Sequence, residues 1–105
     1  MSQYLFIESR DPFDSHCHHY HGLASSLVDH GHQVVLFLVQ NAVLVARPCC
    51  HSDEIKQLAT RGITVLADDF SLKERGINQL IEGVKASPID VVIDQLAAGS
   101  KVLWH

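Results

Sequence analysis

At 105 residues, with 47% hydrophobic and 19% charged side chains, the chain can build one packed core but not two, and it is too apolar for a disordered segment. Its formal net charge of -4 comes without basic runs, which argues against nucleic acid as a direct partner, because a phosphate-binding face needs clustered Lys and Arg. The longest apolar run, Val34 to Ala46, is interrupted by Gln40 and Asn41 and is too short to span a bilayer; Met-Ser-Gln-Tyr at the start lacks the basic segment of a signal peptide. A cytoplasmic chain without a membrane partner is expected.

Tyr4 to Glu8 reads as a first strand, nearly continuous in apolar character, as a central parallel strand should be. After the polar turn at Arg10-Asp11-Pro12, Asp14 or Ser15 caps a helix running to about His30. Tyr20, Leu23, Ala24, Leu27 and Val28 recur at helical spacing and predict its buried stripe. Gly31 closes this helix and Gln33 to Val39 forms the second strand. Ala42 to Arg47 is expected as a short helix rather than an extended piece, because no hairpin signal precedes it. Ser52 caps a helix from Asp53 to Arg61 with Ile55, Leu58 and Ala59 inward, and Gly62 stops it. Ile63 to Ala67 is a short buried strand halted by Asp68 and Asp69, and Ser71 with Glu74 reads as the capping box of a short helix ending at Gly76. Ile77 to Val84 could hold a short edge strand. Ser87-Pro88 with Asp90 starts a helix whose expected buried face is Ile89, Val92, Ile93 and Leu96, and Lys101 to Trp104 is the last strand. This alternation without hairpins predicts a single α/β domain, a parallel sheet of four to five strands inside a three-layer α/β/α sandwich.

The pieces Val34-Val-Leu-Phe with Asn41-Ala-Val-Leu-Val-Ala, Val65-Leu with Leu72-Lys-Glu-Arg-Gly76, Glu82-Gly-Val84 and Lys101-Val-Leu-Trp104 span nearly the whole chain. Their order and spacing resemble the sulfur-relay proteins of the DsrE/DsrF/DsrH superfamily, called Tus proteins in tRNA thiolation. The Pro12-Phe13 turn and Trp104 look most like the DsrH/TusB branch. The resemblance implies a five-stranded parallel sheet, a homo- or hetero-oligomer (dimer, trimer or hexamer), and other sulfur-relay proteins as partners. It also implies transfer of sulfane sulfur as a cysteine persulfide. In the DsrE/TusD branch that cysteine follows the third strand, where this chain has Asp68, and a carboxylate cannot form a persulfide. The DsrH/TusB branch places a cysteine in the first helix, near His21 of this chain; the neighbouring thiol here is Cys17, one helical turn away.

The residues themselves leave several readings open. Cys17 falls in the first turn of a helix, where the dipole and any protonated neighbouring imidazole favour the thiolate that a sulfur acceptor needs; a small buried, inert cysteine is the alternative. Eight histidines occur in the chain, and Cys17, His18 and His21 share helical spacings that could hold zinc or copper, although solvated histidines at a helix start would look the same. No other cofactor is expected. Cys49 and Cys50 precede the Ser52 cap and are weaker candidates for a relay pair than for incidental loop thiols. Asp68 and Asp69 point opposite ways if extended, so a strand end with one carboxylate paired to Lys73 or Arg75 is preferred to a catalytic pair. Val43, Leu44 and Val45 leave few polar faces after the second strand, and Trp104 ends the last one. A closed oligomer burying Ala42 to Arg47 between subunits would cover them.

Overall fold

Five parallel strands form one sheet in the order β4-β3-β2-β1-β5. They are β1 (Gln3–Glu8), β2 (Gln33–Leu38), β3 (Thr64–Asp68), β4 (Val84–Ser87) and β5 (Lys101–Trp104), connected through α1 (Ser15–Asp29), a 3-10 helix (Gln40–Ala46) with α2 (Ser52–Thr60), α3 (Asp69–Glu74) and α4 (Asp90–Ala97). The computed structural model describes residues 2–10, 15–48 and 52–104, and of residues 15–20 and 52 only the backbone. Among the described residues no helix is long and apolar enough to cross a membrane.

The direction of travel across the sheet decides which face each helix covers. From β1 to β4 the chain moves one strand at a time in one direction, so right-handed crossovers place α1, α2 and α3 on the same face. The last connection reverses and returns past β3, β2 and β1 to pair β5 with β1, which puts α4 on the opposite face. Strand alternation then divides the core. Phe6, Val34, Leu36, Leu38, Val65 and Ala67 pack under Ala24, Ile55, Leu58 and Leu72. Leu5, Ile7, Phe37 and Val39 pack with Val91 and Val92 of α4.

Several expectations need correction. The segment after β2 is helical as anticipated, but Val43 and Val45 are buried inside the single chain and Leu44 is half-buried. A 3-10 helix sends successive side chains about 120° apart, and this one is surrounded by α2, α3 and β3, so consecutive apolar residues can all find cover. Those residues therefore supply no exposed patch for a subunit contact. Of the expected α1 stripe, Ala24 is buried and Leu27 and Val28 pack against the core, but Leu23 is exposed and the polar His21 and Ser25 are buried beside them; the Tyr20 side chain lies outside the described residues. Ile89, the N-cap of α4, and Ile93 and Leu96 on it are exposed; Val92, as expected, and Val91 are the α4 side chains that pack against the sheet. The strand expected within residues 77–84 starts at its end: β4 is Val84–Ser87, entered through Gly83, where φ is +94° and an added Cβ would come within 2.9 Å of Ala59 Cβ.

Candidate functional site

Two buried polar networks lie at the carboxyl ends of the strands. The first begins at Glu8, the last residue of β1. Alternation with Tyr4 and Phe6 turns its side chain toward α1, where it is 2% exposed. A carboxylate there requires a partner. His21 supplies it: its Nε2 lies 2.7 Å from Glu8 Oε2, and the imidazole is itself 5% exposed. On the other side of the ring, His21 Nδ1 is 3.6 Å from Glu54 Oε2, in the first turn of α2. That distance is too long for a hydrogen bond, and Nδ1, fully buried, has no hydrogen-bond partner among the described residues. Burial by itself disfavours the charged ring, but the hydrogen bond and charge of Glu8, with the charge of Glu54, outweigh it and raise the His21 pKa above its ordinary value. His21 and Glu54 line a cleft of about 540 Å³ between α1 and α2, with Ser25, Gln57, Thr60 and Arg61 along its walls.

The second network closes the end of β3. Asp68 is the N-cap of α3, accepting from the Ser71 backbone N–H at 3.1 Å and from the Ser71 hydroxyl at 2.7 Å. Ser71 Oγ in turn accepts from the Gln40 backbone N–H at 2.9 Å, which fastens the start of the 3-10 helix to α3. Gln40 has φ +52°, an uncommon conformation for a residue with a side chain, and this bond helps to hold it. The helix is thus capped by Asp68 rather than by a Ser71–Glu74 box. Arg75 bonds the Ser71 carbonyl and the Asn41 side chain, not Asp68. Loops leaving β3 and β4 lead to opposite faces of the sheet, so Asp68 and its register partner Ser87 flank the point where α/β sheets open a crevice.

The sequence-derived sites are distributed as follows. Cys17 and His18 lie in the first turn of α1, one turn before His21, and their side chains are outside the described residues. Cys49 and Cys50 are also outside them. Among the described residues, no three His, Cys, Asp or Glu side chains gather into a metal cage. Glu8 and Glu54 were not anticipated as site residues. A charge closing an otherwise apolar strand, on the same alternating face as Phe6, was the available signal for Glu8. Nothing in the sequence pairs Glu54 with it, because an acidic residue in a first helical turn is ordinary dipole chemistry.

The fold is shared with solved structures. The chain superposes with a TM-score of 0.88 and 16% identity on MTH1491, a protein of unknown function from Methanobacterium thermoautotrophicum, over 100% of both chains. For the ychN protein from E. coli the values are 0.83 and 21%, again over 100% of both chains. For BT1422 of Bacteroides thetaiotaomicron, a conserved protein of unknown function, they are 0.84 and 20%, over 99% of this chain and 95% of that one. No curated protein matches the sequence. The DsrE/DsrF-like family matches residues 2–104, so the chain belongs to the DsrE/DsrF-like family.

Proposed function

We propose that this protein is a cytoplasmic sulfur-relay or regulatory subunit of the DsrE/DsrF type, a sulfurtransferase-like carrier that acts by contact with other sulfur-relay proteins. The family match across residues 2–104 carries the reading. Asp68 stands where the DsrE/TusD branch has its sulfur cysteine, and its carboxylate is occupied by Ser71. His21 lies near the cysteine position of the DsrH/TusB branch and is bound to Glu8. Neither side chain can carry sulfane sulfur. Cys17, in the first turn of α1, is the acceptor we assign, with Cys49 and Cys50 as weaker candidates.

In the step itself the Cys17 thiolate attacks the terminal sulfur of a donor persulfide, R–S–SH. The donor S–S bond breaks, a new S–S bond forms on Cys17, and the donor leaves as its thiolate, with no net oxidation. A homo- or hetero-oligomer suits such a carrier. Ile93 and Leu96 on α4 and Trp104 on β5 are exposed apolar side chains that a second DsrE-type subunit would cover. The test is intact-protein mass spectrometry after incubation with a persulfide donor. The wild-type chain is expected to gain about 32 Da, one sulfur atom, and Cys17→Ser to gain none. No adduct on any cysteine of the wild-type chain would overturn the relay.

A further inference from the structure

Each nitrogen of the His21 ring faces a carboxylate oxygen. Nε2 lies 2.7 Å from Glu8 Oε2, and Nδ1 lies 3.6 Å from Glu54 Oε2. An ionised carboxylate only accepts, and a neutral imidazole has a single N–H to give. Whichever nitrogen kept that proton, the other would turn a lone pair toward an anion, in a place where His21 is 5% and Glu8 2% exposed. Only the doubly protonated ring suits both neighbours. The three side chains come from three elements: Glu8 ends β1, His21 belongs to α1 and Glu54 to the first turn of α2.

His21 and Glu54 stand on opposite walls of the cleft between α1 and α2. We propose that the His21 imidazolium is a proton-dependent clasp across the head of this cleft, anchored on β1 by Glu8, which releases Glu54 and loosens α2 when the ring loses its proton.

Loss of the proton acts on the two contacts unequally. The remaining N–H stays with Glu8, because that carboxylate is buried and no water replaces the bond. The Glu54 side chain is 34% exposed and can turn into solvent. With both carboxylates ionised, the trio carries one net negative charge with the proton and two without it, so repulsion drives the same opening. Among the described residues, Arg61 is the other charged side chain on the cleft wall, and it faces Asp29 at 3.9 Å. Burial opposes the charged ring; Glu8 and then Glu54 outweigh it, and His21 titrates above its ordinary value. The clasp is therefore fully closed below that ordinary value, about pH 6.5, and opens as the pH rises through the raised value of the folded protein. This behaviour does not rest on sulfur transfer, and its readouts involve no cysteine.

The experiment joins imidazole ¹⁵N NMR with amide hydrogen exchange across a pH series. Both His21 nitrogens are expected to carry protons at pH 6. Protection of the amides from Lys56 to Thr60 in α2, corrected for the intrinsic effect of pH, should fall about three- to tenfold over the interval in which the ring titrates. Glu54→Gln, at a partly exposed position where circular dichroism verifies the fold, should lower the His21 titration midpoint and abolish the step in α2 protection. Loss of a helix-dipole contact alone would lower protection equally at every pH and leave the step in place. A singly protonated ring at pH 6, α2 protection that ignores the His21 titration, or an undiminished step in folded Glu54→Gln would overturn the proposal.

Discussion

On one face of the sheet, α1, α2, α3 and the 3-10 helix enclose a continuous core running from Phe6 to Val84. On the other face, among the described residues, α4 covers Leu5, Ile7, Phe37 and Val39, packing against them through Val91 and Val92. The two faces carry equally apolar strand residues, so the difference comes from connection. Three crossovers fall on the first face and one on the second. The crowded face can bury even its charged groups, Glu8 and His21, because helices on both sides supply partners. The thin face leaves Ile89, Ile93, Leu96 and Trp104 in solvent. Completeness of the core and exposure of an apolar surface are therefore two outcomes of one topology.

Substitution can sharpen this contrast. Phe6→Ala, in the crowded layer, should cost about 4–5 kcal/mol, since the surrounding helices cannot close the cavity. Phe37→Ala opens a comparable space beneath a single helix that can settle inward, and about 3 kcal/mol is expected. Urea denaturation of both variants decides this; equal losses would contradict the difference between the faces.

The buried pair on the crowded face should respond in its own way. His21→Leu strands the Glu8 carboxylate and should cost roughly 3 kcal/mol, while the double variant Glu8→Leu/His21→Leu should recover most of that loss. A double variant no more stable than the single one would mean that the pair itself, not the stranded charge, holds the layer together. Asp68→Ala removes a helix cap and frees the Ser71 hydroxyl, with an expected loss of about 1–2 kcal/mol by thermal melting.

The smallest effect on folding lies on the thin face. Ile93→Lys or Leu96→Lys should change the stability of one chain by no more than about 0.5 kcal/mol, because these side chains already meet water. The same variants should lower the mass seen by light scattering if a second subunit covers α4. A folded wild-type chain that scatters as a monomer at micromolar concentration would leave that surface without this role.

Much of the architecture was legible along the chain. Apolar runs of strand length separated by helical spacing gave β1, β2, β3 and β5, and the absence of hairpin signals made the sheet parallel. Gly62 and Gly76, both at positive φ, mark stops that the sequence announced. Local chemistry suffices for such features because it acts between neighbours along the backbone.

Packing across the sheet was decided elsewhere. Periodicity can place an apolar stripe on α1 or α4 but cannot say which side meets the sheet. For that reason Leu23, Ile93 and Leu96 are exposed while His21 and Ser25 are buried. The same limit hid the site. Glu8, His21 and Glu54 belong to three different elements, and only the crossover of α1 onto β1 and the seating of α2 beside it bring them together. The sequence alone determined most of the elements and the family; the tertiary structure decided which polar residues they trap, because burial of a charge depends on partners that arrive from distant parts of the chain.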